Sequence, residues 1–437
     1  MKIHPTDNQL QQLVIGKCSV VAIYEHASTC SRCRRRAEIL RHRRMRVASS
    51  QESTLTIDTR RLLDIQAAYT KERAEARSLV TELRKHPTER QRVLVRNHPR
   101  FQTWGVLERL LDLSQKEMLG DPNLGEELAF LALDVAERLD VSAYGTEGIE
   151  DLRARAWAYI GNARRIRFEL REAQEAFDRS LIHLRQGTRE PWERAVWMDL
   201  KASLLRTQRC FEESMRLLKR ALLLFLAVGD QHRAGRVLVN MDNVLHRAGR
   251  PEDGIPLLYQ ALELIDPEQE PNVLFMATHN LIDDLAEAGR YMEAQRLLSQ
   301  SRPLYQRFDR PFVRYRCQWT EAKIARGFGQ IRKAEAFLEA ARAGFLEHEA
   351  AFEVALVSLE LARLYAEQGK TTEMKRLAEE MVSIFSSRQI HREALAALAL
   401  WKQAVDAEEA CAELTALVAT EIKHARYDQS ASSQETF

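Results

Sequence analysis

The chain has 437 residues, of which 45% are hydrophobic and 29% are charged, and its formal net charge is +2. Only 17 glycines and 11 prolines occur, and this composition favours a helical protein over a sheet-rich one. The near-neutral charge gives no general reason to expect a nucleic-acid partner.

No stretch of the sequence approaches the roughly 18 apolar residues that a membrane-spanning helix needs. The N-terminal residues do not show the apolar core and cleavage site of a signal peptide. We therefore expect a cytoplasmic protein that does not enter a membrane.

The first chemical motif is a cluster of metal-ligand residue types near the N-terminus. His26, Cys30 and Cys33 stand at positions i, i+4 and i+7, which share one face of a helix. Two cysteines two residues apart can grip one zinc ion with a histidine as third ligand, and a structural site needs a fourth. His4 and Cys18 are the upstream candidates. The alternatives are a chance Cys-x-x-Cys in a basic helix or a redox pair, although the flanks show no βαβ context for the latter.

This segment resembles the zinc-containing anti-sigma (ZAS) domains. Those domains have an N-terminal His or Cys, an amphipathic helix ending at glycine, and His-x3-Cys-x2-Cys opening a second helix. The equivalents here are His4, the stretch 9–16, and His26, Cys30 and Cys33. The resemblance implies a structural zinc ion with His4 as fourth ligand, and Cys18 stays the alternative from the residue types alone. It also implies a sigma-type transcription factor as partner for a head formed by residues 1–46.

A basic arm directly follows the cluster, with seven arginines inside thirteen residues: Arg34, Arg35, Arg36, Arg41, Arg43, Arg44 and Arg46. Such an arm can track nucleic-acid phosphates, but no aromatic residue is interleaved for base stacking. A protein contact or a solvated helix face explains the same charges. Residues 47–98 are predicted to form a flexible linker and a helical connector, in which one amphipathic helix runs towards Leu83 and Pro87 opens the next.

The rest of the chain is periodic. Gly249, Gly289, Gly329 and Gly369 recur every 40 residues, and each suits the left-handed position that ends a helix. Five residues after each glycine begins a small, large, small pattern at i, i+4 and i+7, which extends back to Ala173 and forward to Ala410, Leu414 and Leu417. A repeat of this length indicates a stacked array of helical hairpins.

The repeat resembles the tetratricopeptide repeat (TPR), and Trp157, Ile160, Gly161, Ala173 and Phe177 keep that family's spacing. HEAT repeats have this length but lack the small residues on both helices. The resemblance implies an all-α, right-handed superhelical solenoid of about eight hairpins over residues 99–426. The polar segment 427–437 is predicted to be a disordered tail.

In TPR solenoids the first helix of each hairpin lines the concave face. Counting back from the second-helix anchors places two columns there, with positive charge along most of the line, and a further column that includes Asn280. These columns favour an acidic or carboxylate-ended protein or peptide partner, although ordinary solvated positions would show the same residue types. The predicted partner groove consists of Asn162, Arg165, Arg206, Asn243, His246, Asn280, Lys323 and Arg326.

The sequence shows no catalytic motif such as a P-loop or His-Glu-x-x-His. We therefore expect a non-enzymatic regulatory adaptor with a zinc head. The alternatives are a nucleic-acid-binding module that uses the basic arm, and a plain assembly scaffold in which the zinc is only structural. Three isolated cysteines, Cys210, Cys317 and Cys411, are expected to be small core residues.

Overall fold

The computed structural model describes residues 59–386 except positions 119, 309 and 349, followed by 398, 401–402, 404–406 and 411–425. The proposed zinc ligands, the basic arm and the polar tail lie outside the described residues. The chain divides into two compact units, residues 1–70 and 71–437, and the hairpins below all belong to the second unit.

The predicted connector contains two helices. Helix α1 covers Thr59–Leu83 and ends at the residue expected from its amphipathic pattern, and α2 covers Thr88–Asn97 directly after Pro87. A 3-10 turn at Pro99–Phe101 leads into the array. None of the described helices combines the length and the apolar content that crossing a bilayer requires.

The array is an all-α solenoid of antiparallel helix pairs, and the part of the chain that the structure describes contains no strand. A short helix α5 (Val141–Tyr144) separates the first two pairs, and the second helix of the fifth pair is split in two. Seven complete hairpins lie within the described residues: α3 (Trp104–Glu117) with α4 (Pro122–Ala136), α6 (Thr146–Ile166) with α7 (Leu170–Gln186), α8 (Pro191–Thr207) with α9 (Phe211–Val228), α10 (Gln231–Arg247) with α11 (Pro251–Leu264), α12 (Pro271–Glu287) with α13 (Tyr291–Gln300) and α14 (Arg302–Arg307), α15 (Pro311–Gly327) with α16 (Ile331–Glu347), and α17 (Ala351–Glu367) with α18 (Thr371–Ser386). Helical residues at 404–406 and α19 (Ala412–Ala425) follow.

The glycines that recur every 40 residues, from Gly249 to Gly369, lie in the turn between the two helices of a hairpin, as predicted. Their φ angles lie between 68° and 74°, in the left-handed region. One and two periods earlier the same position is held by Arg209 at φ 60° and by Phe168 at φ 64°. A side chain costs about 1–2 kcal/mol in this conformation, and the absence of glycine hides these two turns from a search for the repeated glycine.

The small, large, small pattern of the second helices forms the core between hairpins. All eighteen positions from Ala173 to Met381 are buried. Phe177 is completely buried, and a Cβ placed on Gly161 would stand 2.9 Å from two carbons of its ring. This is the close helix contact that the TPR-like spacing of Gly161, Ala173 and Phe177 predicts.

Two predictions for individual positions are wrong. At the C-terminal end Leu417 is 58% exposed, whereas Thr415 and Val418 are buried, so the buried face is displaced by one residue from the predicted register. Cys210 and Cys411 are exposed rather than buried. Both stand just before a helix begins, at Phe211 and Ala412, outside the stretch that packs against the neighbouring helix. Cys317 is partly buried.

Candidate functional site

The predicted groove residues occupy the first helices of consecutive hairpins. Asn162 and Arg165 lie on α6, Arg206 on α8, and the rest on α10, α12 and α15. Every one of the eight is partly buried. We call the surface formed by these eight residues along α6 to α15 the first-helix face.

In the C-terminal half of the first-helix face the cations are neutralised within the stack. Lys323 Nζ lies 2.9 Å and 3.0 Å from the two carboxylate oxygens of Asp283 and 2.8 Å from Glu287. Arg326 donates to Glu367 at 2.6 Å. The expected positive charge of these columns is therefore cancelled here, because each cation meets an acid on a neighbouring first helix, 36–41 residues away.

The polar groups of α10 are paired in the same way. His246 Nδ1 lies 2.8 Å from Asp284 Oδ1, and Asn280 donates to Asp242 Oδ2 at 3.0 Å. Asn243 donates to a carbonyl of its own helix, that of Val239, at 2.8 Å. The signal for these partners was present in the sequence, since each cross-helix pair is separated by 38 residues, close to the repeat length.

Three acidic and imidazole groups in this region have the spacing of metal ligands. Single ligand atoms of His246, Asp283 and Glu287 lie within 4.8 Å of one another. Lys323 already supplies a positive charge to both carboxylates. Burial would lower the pKa of Lys323, but the charges of Asp283 and Glu287 outweigh it and hold that pKa well above its usual value. We therefore interpret this cluster as an ion-pair network.

The N-terminal half of the first-helix face is different. Arg165 Nε donates to the side-chain oxygen of Asn162 at 3.0 Å, and no carboxylate of the described residues lies within ion-pair distance of Arg165. Burial and the positive charge of Arg247 lower the pKa of the Arg165 guanidinium to about 10, and the charge of Asp199 opposes them. Arg165 is thus a partly buried cation that forms no ion pair within the described part of the chain.

Arg247 belongs to this site, although the sequence analysis did not select it. It is the residue after His246, which is the α10 counterpart of Arg165 and Arg206 because each of these lies three residues before the left-handed residue of its turn. His246 is turned towards Asp284, whereas Arg247 acts electrostatically on Arg165.

A second polar network joins helices that are distant in sequence. Gln115 of α3 accepts hydrogen bonds from Tyr159 at 2.9 Å and from Arg233 at 3.3 Å. Its amide donates to Glu270, at the start of α12, at 3.4 Å, and Arg236 holds the same carboxylate at 2.9 Å. The first hairpin therefore contacts the fourth and fifth hairpins here. The residues involved are far apart in sequence, so the repeat pattern does not predict this contact.

A tryptophan is clamped beside this network. The guanidinium carbons of Arg155 and Arg233 lie 4.6 Å and 4.7 Å from the ring centre of Trp192. Arg155 also forms an ion pair with Glu193. Burial would lower the pKa of Arg155, but Glu193 outweighs it and raises that pKa. Arg155 and Glu193 thus compensate each other's charge, whereas Arg165 forms no ion pair among the described residues.

No protein-family model matches this sequence, and no curated protein matches it. Three solved structures are similar in fold, each with 11% sequence identity: a Rap protein complexed with competence and sporulation factor, the apo form of RapI, and aspartyl phosphate phosphatase F from Bacillus subtilis. Their TM-scores are 0.54, 0.52 and 0.50, in that order. The similarity covers 74%, 72% and 89% of this chain and 88%, 85% and 96% of the respective solved chain. At this identity the similarity shows the TPR-like helical fold alone.

Proposed function

We propose that this protein is a non-enzymatic regulatory adaptor whose first-helix face binds an acidic or carboxylate-ended segment of a protein or peptide partner. The observation that carries the proposal is Arg165, a partly buried guanidinium whose hydrogen bond goes to the neutral amide of Asn162. A buried cation is costly unless an opposite charge compensates it. A carboxylate of the partner provides that charge and two hydrogen-bond acceptors that match a guanidinium.

The neighbouring arginines strengthen the same site. Arg206 and Arg247 add positive charges near the C-terminal ends of α8 and α10. The paired C-terminal half of the first-helix face, around Lys323, offers no comparable excess of positive charge. The proposed site is therefore the segment from α6 to α10, which is shorter than the groove expected from the sequence.

A similar fold holds a ligand in one of the compared structures, the Rap protein complexed with competence and sporulation factor. This precedent supports a role in binding a signalling or regulatory partner only by analogy of fold. The residues that choose the partner are this chain's own, and the arginines at 165, 206 and 247 favour acidic chemistry.

Changing Arg165 to Glu is expected to weaken binding of acidic peptides by at least about tenfold, because a partly buried charge pair is replaced by repulsion. The measurement uses fluorescence anisotropy with a library of acidic peptides that carry either a free or an amidated C-terminus. The affinity of wild type should fall as salt is raised. The free-acid and amide arms separate recognition of a terminal carboxylate from recognition of side chains.

The matched control is Arg171→Glu, which makes the same charge change on α7 at a side chain that is 88% exposed. It should leave peptide affinity within about twofold, since exposed charges at a distance are largely screened. Equal losses in both variants would show a general charge effect and contradict the proposed site. No affinity for any acidic peptide in wild type would contradict it as well.

The N-terminal head adds a second proposal, which rests on the sequence motif. We propose that His26, Cys30 and Cys33, with His4 or Cys18, hold one structural zinc ion, and that the head contacts a sigma-type factor. The support is the metal-ligand spacing together with the resemblance to ZAS domains.

Protein purified without added metal is expected to contain about one zinc per chain. The double variant Cys30→Ser, Cys33→Ser should lose it and leave the helicity of the array nearly unchanged, because metal binding and folding are coupled only in the small head. Elemental analysis and far-ultraviolet circular dichroism measure the two effects. Cys210→Ser is the control, since Cys210 is an exposed thiol of the array. Full zinc content in the double variant would exclude the motif.

A further inference from the structure

The fourth hairpin carries a carboxyl group where four other repeats keep a small side chain. Twelve residues before the second-helix anchor, the first helix has Asp242 on α10, whereas the same position holds Ile282 in the fifth hairpin and a small residue in four other repeats: Gly161, Ala202, Ala322 and Ala362. The anchor opposite Asp242 is Gly254, the one glycine at its position among the six anchors from Ala173 to Met374. A Cβ on Gly254 would collide with Asp242 Oδ1. The glycine therefore makes room for the buried carboxyl.

A second buried carboxyl meets the first. Asp242 and Asp284 are both only 1% exposed, and Asp284 comes from α12 of the next hairpin. One oxygen of each group has a partner, because Asn280 donates to Asp242 Oδ2 and His246 bonds Asp284 Oδ1. The remaining oxygens, Asp242 Oδ1 and Asp284 Oδ2, have no donor. Both face the backbone of Gly254, since a Cβ there would also lie 3.1 Å from Asp284 Oδ2.

Two ionised carboxylates cannot be buried against each other without a counter-charge, whereas one shared proton turns their repulsion into a hydrogen bond. We infer that Asp242 and Asp284 form a proton-sharing acid pair that holds the fourth and fifth hairpins together and weakens when the proton is lost. The proton gives Asp242 Oδ1 a hydrogen to donate to Asp284 Oδ2, which satisfies both orphan oxygens. Asn280 then donates to the other oxygen of the acid, and His246 to the carboxylate.

The surrounding charges agree with one proton on this pair. Burial first, then the hydrogen bond and the charge of Asp284, raise the pKa of Asp242 to about 9, while Asn280 opposes them. The titratable and charged groups facing the pair are His246 on α10, Asp283, Glu287 and His279 on α12, and Lys323 on α15. Gly254 of α11 contributes none.

These neighbouring groups do not neutralise the negative charge around the Asp242–Asp284 pair. Lys323 is engaged with Asp283 and Glu287. Burial would lower the pKa of His246, but Asp284, Glu287 and Asp283 outweigh it and raise that pKa. Burial lowers the pKa of His279 to about 4, so this imidazole is neutral at pH 7. The excess negative charge around Asp242 therefore favours its protonated form.

The pH dependence has a definite sign. A carboxyl whose pKa is raised on folding binds a proton in the native state that the unfolded chain has already lost, so stability falls as pH rises between the two pKa values. For Asp242 this window runs from the unfolded-state value of about 4 to the native value of about 9. The contribution of the pair to the free energy of unfolding should be largest in weak acid.

The test compares wild type with Asp242→Asn by urea unfolding from pH 5.5 to 9.5. Asparagine keeps the shape and mimics the protonated acid, because its amide donates permanently to Asp284 Oδ2 and its carbonyl accepts from Asn280. The unfolding equilibrium constant of wild type relative to the variant should rise by up to about tenfold per pH unit and level off near pH 9. A ratio that does not change with pH would overturn the inference.

A measurement on unmodified protein avoids dependence on how the variant folds. Chain labelled with 13C at the aspartate carboxyl carbons should show one resonance that titrates in the alkaline range and is absent in Asp242→Asn. If every aspartate resonance of the folded wild type titrates below about pH 6, the pair does not share a proton. Asp253→Asn is the control, because Asp253 lies on the exposed side of α11 and pairs with Arg250, and it should leave the alkaline resonance in place.

Discussion

Replacing Lys323 with methionine is expected to lower the free energy of unfolding by about 3–5 kcal/mol. The methionine keeps an apolar side chain of similar length but removes the ammonium, which is shared by Asp283 and Glu287 and lies 5.3 Å from the ring centre of Trp319. The three side chains are only 15%, 20% and 23% exposed, so water compensates poorly for the lost charge. The variant leaves two acids facing each other inside the stack, which is why the expected loss exceeds that of a surface pair.

The contribution of this network also has a pH window. Burial would raise the pKa of Asp283, but Lys323, His279 and His246 outweigh it and lower that pKa, so its stabilisation is present above about pH 4 and is lost in acid. The pKa of Lys323 is raised, so its share is present below about pH 10 and is lost above. Urea unfolding across this range should show the difference between wild type and Lys323→Met vanish at both ends.

The control for this prediction is Lys71→Met, the same substitution in an i,i+4 pair whose side chains are 77% and 57% exposed. Its effect should stay within about 0.5 kcal/mol, because exposed ion pairs contribute little. A second variant, Asp283→Asn with Lys323→Met, should recover part of the loss by removing the uncompensated charge. Similar losses for Lys71→Met and Lys323→Met would contradict the interpretation of the network as buried.

Shortening Phe177 to alanine is expected to cost about 3–5 kcal/mol. The ring is completely buried between α6 and α7, where it lies against Gly161, and it also contacts the third hairpin through Leu204. Because neighbouring repeats stabilise one another, the second and third hairpins should loosen together. Urea unfolding and limited proteolysis measure the loss and its location.

The opposite change at the same contact is a further check. Gly161→Ala places a methyl group 2.9 Å from two ring carbons of Phe177, so it should also destabilise, by about 1–3 kcal/mol. Combined with Phe177→Leu, it should cost less than the sum of the two single changes, because the smaller side chain makes room. The control is Ile182→Ala, which lies on α7 like Phe177 but at a position that is 53% exposed. A strictly additive double variant would show that the two residues do not press on each other.

The sequence alone determined the architecture of the array. The left-handed turns at Gly249 to Gly369 and the buried triplets that begin at Ala173, Ser214 and their successors follow from backbone sterics and helical periodicity. Both are local rules, so each repeat states them again. The turns at Phe168 and Arg209 lack the glycine and could not be recognised from the repeated glycines. At Leu417 the predicted buried register was wrong, because packing rather than the repeat pattern sets the buried face there.

The state of the charges was decided only by the tertiary structure. The sequence placed Arg165, His246 and Lys323 on one face, but not which acid each of them meets. Lys323 is neutralised by Asp283 and Glu287, whereas Arg165 has no such partner in the described part of the chain. The burial of Asp242 against Gly254 and Asp284 depends on how α10, α11 and α12 cross. Charge pairing and desolvation depend on distances of a few ångströms between hairpins, and helical periodicity does not encode those distances.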